Sequence, residues 1–342
     1  MANIAIIGAG AWGTGLAIVL GRRGGHKVCL WAYEPEVARS VSERHVNETF
    51  LKDQAIPASV SATNDLATAL AGADIVVSVM PSHHCRAIFQ KITASGKLKP
   101  DAIIVSATKG IEEGSLLRMT EVIATVLGEK GSNHRIAAVS GPSFAVEVAR
   151  GDPTAITAAS QSSELAGQVQ REFSDPRFRI YTSDDVIGVE LGGSLKNVIA
   201  IAAGVCDGLG LGHNTIAALI TRGLAEITRL AVACGARRET LAGLAGMGDL
   251  VLTCTGGLSR NRTVGVELGR GRKLAEIIAG MHGMVAEGVF TTHAAVELAH
   301  ARGIEMPITA QMDAILHHGK SPRDAIYDLM TRTAKSETGL RQ

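Results

Sequence analysis

Aromatic residues make up only 3% of this 342-residue chain, and its charges almost cancel, 34 basic against 33 acidic side chains. So few rings argue against a base-stacking platform or a carbohydrate groove. A net charge of +1 gives no electrostatic reason to expect nucleic acid or a charged membrane surface as partner. Cysteine is sparse and scattered: Cys29, Cys85, Cys206, Cys234 and Cys254 are odd in number and form no C-x-x-C pair. That argues against a disulfide framework or a zinc site and fits a reducing, cytosolic compartment. The histidine pairs His83-His84 and His317-His318 lack the spacing and ligand company of a metal site, so no metal is expected. Long apolar runs are also missing. Stretches such as Val198–Cys206 are too short and too interrupted by glycine to cross a bilayer, and the first residues carry no charged leader or cleavage site. The reading is a soluble, cytoplasmic protein with no membrane insertion.

What the chain does have is glycine, 39 residues of it, placed between short β-branched runs and helical patterns. Asn3–Ile7, Lys27–Trp31, Ile75–Val79, Ile103–Ser106 and Ile136–Val139 read as buried strands, with Pro153–Ala159 and Phe178–Thr182 as a further pair. Helical patterns over Trp12–Arg23, Glu34–Glu43, Ser115–Leu127 and Ser163–Phe173 alternate with them. Such alternation predicts an α/β, Rossmann-type doubly wound sheet. After about Ser183 the strand signal stops, and the pattern is helical over Val186–Ala203, Thr215–Cys234, Thr263–Ala279, Thr291–Arg302, Pro307–Leu316 and Pro322–Met330. The expected organisation is a dinucleotide-binding domain over 1–187 and an all-α domain over 188–342, with Lys335–Gln342 a frayed polar end.

Gly8-Ala-Gly-Ala-Trp-Gly13 is G-x-G-x-x-G placed directly after a strand and at the start of a helix. In that context Gly8 makes the tight turn, Gly10 lets the backbone approach a pyrophosphate, and Gly13 allows close helix–strand packing. The helix N-terminus adds free N–H groups and partial positive charge. The pattern implies NAD or NADP. At the end of the second strand, Tyr33 and Glu34 supply a slightly late acid and no arginine, so the choice between the two stays open. Trp12 either shields the cofactor or packs in the core. Lys109, in the turn after one strand, and Gly141-Pro142-Ser143 with Ala145, after the next, fall on the ligand-collecting edge of such a sheet.

In the second half, Lys196 and Asn197 interrupt an otherwise apolar run of small residues. A lysine buried there loses part of its proton affinity, as a general base near neutral pH requires. The segment Gly246–Asn261 gathers Asp249, Thr253, Thr255, a Gly-Gly turn and then Ser259-Arg260-Asn261. It reads as a glycine-rich backbone nest for an anion, with Arg260 adding a forked contact and Asp249 set aside for chemistry. A small phosphorylated substrate is the expected ligand. The turn at Val285 and Glu287 is a candidate closure on the cofactor.

Taken together, Gly8–Gly13, Ser140–Ala145, Leu195-Lys196-Asn197 and Gly246–Asn261 resemble the bacterial-type NAD(P)-dependent glycerol-3-phosphate dehydrogenases, in order and spacing, up to about residue 290. The resemblance implies interconversion of sn-glycerol 3-phosphate and dihydroxyacetone phosphate for phospholipid synthesis by a cytoplasmic homodimer. It also implies Lys196 as proton acceptor and Lys109 as a contact of both cofactor and substrate. Gly141, Ser143, Asp249, Ser259, Arg260 and Asn261 fall on substrate contacts, Arg260 also near the cofactor. Gly8, Gly10, Ala11, Trp12, Gly13, Tyr33, Ala145, Val285 and Glu287 fall on cofactor contacts. Gly15 departs from the alanine expected at that point of the first helix. The rival readings are another two-domain hydroxy-acid dehydrogenase and a non-catalytic NAD(P)-binding sensor.

Overall fold

A computed structural model describes residues 1–128, 135–281, 284–334 and 336–337. The end expected to fray therefore lies, apart from 336–337, outside the described residues. The strands are β1 (Ala2–Ile7), β2 (His26–Trp31), β3 (Val46–Asn47), β4 (Leu51–Ala55), β5 (Val60–Thr63), β6 (Ile75–Ser78), β7 (Ile103–Ser106), β8 (Arg135–Ser140), β9 (Thr154–Ala159) and β10 (Phe178–Ser183). Eight of them form one sheet in the order β10-β9-β8-β7-β6-β1-β2-β5, and β3 and β4 pair as a small antiparallel ribbon. Every strand read from the sequence is present. The extra pieces, β3 to β5 and the helix Cys85–Ala94, are short or mixed in polarity and carry little periodic signal.

The main sheet is parallel except where β8 meets β9, which run antiparallel. β1, β2 and β5 build toward one edge and β6 to β10 toward the other, so the order reverses between β1 and β6. In open α/β sheets this reversal opens a crevice at the carboxyl ends of the strands, where ligands bind. The turn Gly8–Gly10, the turn after Ser78, Lys109 after β7 and Gly141 after β8 all stand on that edge. Both faces of the sheet are covered, one by a core that includes Leu16, Leu20, Val41 and Phe173, the other by one that includes Leu70, Phe89, Ile92 and Ile123. This explains why the central strands read as near-continuous apolar runs.

From Val186 onward the described residues contain no strand. Asp185 starts the helical half: its carboxylate accepts the N–H of Gly188 at 2.8 Å, capping the helix Val186–Gly208, and also the N–H of Arg237 at 2.8 Å. That helix runs 23 residues, longer than the segment read from sequence, and is long and apolar enough to cross a membrane; here it is buried inside the protein as the axis of the helical core. Its buried Glu190 accepts the N–H and hydroxyl of Thr120 at 2.9 and 2.6 Å, which ties the axis to the sheet half. The helix Arg260–Gly269 crosses it backbone to backbone. A Cβ on Gly204 would lie 2.0 Å from the carbonyl of Arg262, and one on Gly265 would lie 2.0 Å from that of Ile201. Only glycine permits that approach, which brings Asn261 beside Asn197. The single helix expected over Thr263–Ala279 is two, Arg260–Gly269 and Leu274–Ala279, broken by the Arg270-Gly271-Arg272 turn.

Candidate active site

The opening turn behaves as its spacing predicts. Gly8 has φ +124°, and a Cβ there would lie 2.0 Å from the carbonyl of Val79; a Cβ on Gly13 would lie 1.9 Å from that of Gly8. These two glycines are required by the protein's own packing. Gly10 is different, because nothing lies within 4 Å of where its Cβ would be. Its missing side chain leaves open space over the first turn of the helix Ala11–Arg23, whose N-cap, Gly10 itself, has no side chain to occupy the free N–H groups. A cradle lined by free amide donors and left open by glycine fits the pyrophosphate of a dinucleotide. Ala11 and Trp12 are half-buried beside it, and the Trp12 ring packs on Phe178 at 6.3 Å. Tyr33 stands exposed at the end of β2, edge-on to Trp31. Gly15 has a packing reason: a Cβ there would press on the carbonyl of Ala145 at 3.4 Å, so glycine lets this helix meet the short helix Ala145–Arg150.

At the other end of the crevice two lysines share one carboxylate. Lys196 Nζ donates to Asp249 Oδ1 and to Thr253 Oγ1, both at 2.6 Å. Lys109 Nζ donates to Asp249 Oδ2 at 2.5 Å and to the carbonyl of Gly141 at 3.3 Å. Asp249 is 1% exposed and Lys196 7%. Burial lowers the Lys196 pKa to about 8, with Asp249 opposing that shift and Lys109 adding to it. Burial would raise the Asp249 carboxyl, yet Lys109 and Lys196 together outweigh it and hold the pKa below the usual value. The result is an ionised aspartate that fixes a lysine able to gain or lose a proton close to neutral pH. The Ser143 hydroxyl donates to the carbonyl of Gly141 at 3.1 Å, shaping the same wall.

The first part of the glycine-rich segment is helical and not an open nest, and residues 256–259 stay outside the helices. Leu244–Gly248 forms a π-helical turn that passes directly into the helix Asp249–Thr255. Helical winding puts Asp249 and Thr253 on one face, four residues apart, with both turned toward Lys196. Thr253 was visible as a hydroxyl in the segment, but its contact with Lys196 depends on a helix that glycine content concealed. Ser259 caps the next helix, its hydroxyl accepting the N–H of Arg262 at 3.1 Å. Asn261 is a buried clasp: its Nδ2 donates to Asn197 Oδ1 at 3.0 Å, and its Oδ1 accepts the N–H of Gly288 at 2.9 Å. Arg260, between them, is exposed, and its guanidinium makes no hydrogen bond or ion pair among the described residues. Val285 sits just before the helix Glu287–Ala301, and Glu287 is its first residue. Glu287 accepts hydrogen bonds from Ser82, a residue that no motif or periodicity singles out.

Two family models together span most of the chain. The N-terminal model of NAD-dependent glycerol-3-phosphate dehydrogenase matches residues 3–166, and the C-terminal model matches 185–327. A glycerol-3-phosphate dehydrogenase [NAD(P)+] of Koribacter versatilis is 67% identical over 340 residues, covering 99% of this chain and 100% of the relative. One of Acidobacterium capsulatum is 54% identical over 339 residues, covering 98% and 100%. Among solved structures, the glycerol-3-phosphate dehydrogenase of Coxiella burnetii superimposes with a TM-score of 0.91 at 42% identity, over 97% of this chain and 99% of that one.

Proposed function

The chain belongs to the NAD-dependent glycerol-3-phosphate dehydrogenase family, and from that premise we propose how its crevice works as an NAD(P)-dependent oxidoreductase interconverting sn-glycerol 3-phosphate and dihydroxyacetone phosphate. The observation that carries the assignment of chemistry is the buried Lys196, held by Asp249 and Thr253 at 2.6 Å. The nicotinamide cofactor, when bound, supplies the hydride acceptor for oxidation and the hydride donor for reduction. The residues that hold it are Gly8, Gly10, Ala11, Trp12 and Gly13 at the pyrophosphate turn and Tyr33 beyond β2. Lys109, Ala145, Val285, Arg260 and Glu287 complete the set along the crevice.

In the oxidative direction neutral Lys196 takes the proton of the substrate's C2 hydroxyl; in the reductive direction protonated Lys196 returns it and stabilises the developing alkoxide. Asp249 fixes the Lys196 ammonium in place, and Thr253 fixes its direction. Lys109 lowers the Lys196 pKa and adds positive charge that draws an anionic substrate. The phosphate is held by the Arg260 guanidinium and by the free N–H groups of the first turn of Arg260–Gly269, including that of Asn261, with Ser259 starting the helix. Gly141 and Ser143 close the opposite wall.

We place the division of labour at residue 187, cofactor before it, substrate and dimer contacts after it. Large exposed apolar side chains in the helical half, Tyr327 and Met330 one turn apart, support a homodimer. Five free cysteines support a cytoplasmic location, where the product feeds phospholipid synthesis. The test is loss of NADH or NADPH absorbance with dihydroxyacetone phosphate, in the natural protein and in Lys196→Ala. The variant is expected to bind cofactor but not turn over, and near-normal kcat in it would remove lysine from the mechanism.

A further inference from the structure

Ser82 lies in the short turn Ser82–His84 that follows β6, buried against the crevice. Its N–H donates to both oxygens of Glu287, at 3.2 and 3.4 Å, and its hydroxyl donates to Glu287 Oε2 at 2.6 Å. The two residues are 205 positions apart and belong to opposite halves of the protein. Gly110, the residue after Lys109, makes room for the pair. A Cβ on it would lie 2.3 Å from Ser82 Cβ and 3.5 Å from Glu287 Oε2. Gly110 is itself pinned, its N–H donating to Ser194 Oγ at 2.8 Å. One junction thus joins the sheet edge, the Lys109 loop and the helix Glu287–Ala301.

We infer that Ser82 is a positioning residue, which holds Glu287 as an ionised carboxylate on the cofactor side of the crevice. This rests on the reading above that Glu287 contacts the cofactor. An ionised carboxylate is acceptor-only and takes both Ser82 donors, whereas protonation turns one oxygen into a donor and spoils the match. Burial pushes the Glu287 pKa up to about 7, and the Ser82 bonds and the charge of Arg260 oppose that rise. The other charged or titratable groups around the helix are otherwise engaged. Lys109 and Lys196 are bound to Asp249, the His83 ring lies 4.7 Å from that of Phe290, and His317 bonds the carbonyl of Val289 at 3.2 Å. Asp313 is paired with His293 and His318. Ser82 and Arg260 are therefore the groups that keep Glu287 charged.

The experiment measures the Kd of NADH by fluorescence, without substrate, from about pH 5 to about pH 9. In the natural protein, affinity falls as pH drops through the Glu287 value near 7. In Ser82→Ala the same limb moves up by about one pH unit, giving roughly fivefold weaker binding at neutral pH and near-natural affinity at the alkaline end. Glu287→Gln, which cannot ionise, loses the limb. Ser82→Cys, similar in size but a weaker donor, shifts the limb in the same direction as alanine and keeps the junction tested if alanine does not fold. A limb that stays in place in both Ser82 variants, or one that survives in Glu287→Gln, overturns the assignment. Uniformly weaker binding at every pH also overturns it, since that is what lost packing alone produces. Turnover with dihydroxyacetone phosphate in the natural protein is scored separately, so failure of the dehydrogenase reading and failure of the Ser82 assignment give different results.

Discussion

Replacing Asp249 by asparagine tests the centre of the proposed chemistry, because the change keeps the side chain's shape and removes its charge. The carboxylate lies 2.6 Å from Lys196 Nζ and is almost fully buried. Two unit charges at that separation attract by roughly 1.6 kcal/mol even at the dielectric of bulk water, and by about 6 kcal/mol at an effective dielectric near 20. One pKa unit corresponds to about 1.4 kcal/mol. Loss of the carboxylate therefore lowers the Lys196 pKa by at least about one unit, from about 8 to below about 7. The direction is fixed, because burial and Lys109 both favour the neutral amine and Asp249 is the main group that opposes them, with Cys254 a lesser one. The assay is the pH dependence of kcat/KM for glycerol 3-phosphate oxidation, which reports groups of the free enzyme. In the natural protein the rate rises with pH as Lys196 loses its proton, with an inflection near 8. In Asp249→Asn the inflection moves to lower pH, while the plateau falls by about 100-fold because the amine is less well placed. Titration of the substrate's own phosphate, near pH 6, is common to both proteins and cancels in the comparison. An inflection that stayed near 8 in the variant would refute the reasoning, since the group being titrated would not be the lysine that touches Asp249.

Arg260→Ala is expected to raise the KM for dihydroxyacetone phosphate by about 10- to 100-fold, the range for losing a charge-assisted contact, with a smaller effect on kcat. An unchanged KM would mean that the phosphate binds elsewhere. Gly10→Ala and Gly13→Ala separate binding from folding within one motif. The first adds a methyl group to open space and is expected to leave Tm within a few degrees while weakening NADH binding. The second places a Cβ 1.9 Å from a carbonyl oxygen and is expected to cost about 1–3 kcal/mol of stability, read by denaturant unfolding. Equal effects of the two on stability would contradict the division of roles.

Several features were legible because they are local. β-branched runs separated by helical periods specify a parallel sheet, since only strands buried on both faces tolerate such composition. Gly8–Gly13 placed after a strand and before a helix specifies the nucleotide turn, because each glycine answers a steric demand within a few residues. A lysine amid small apolar residues at 196 signals its own burial. Distant partners carry no such signature. The carboxylate shared by Lys109 and Lys196 joins residues 140 and 53 positions apart. It depends on Gly192, where a Cβ would lie 2.7 Å from the carbonyl of Ala245, letting the turn before Asp249 lie against Val186–Gly208, and on the winding of Asp249–Thr255 into a helix directly after a glycine-rich turn. The clasp of Asn261 on Asn197 and Gly288, and the Ser82–Glu287 junction, are likewise products of packing. Sequence thus determined which groups are present and the class of chemistry they carry. Tertiary structure decided which of them touch, and through burial and neighbouring charge it set the Lys196 proton affinity near neutral pH.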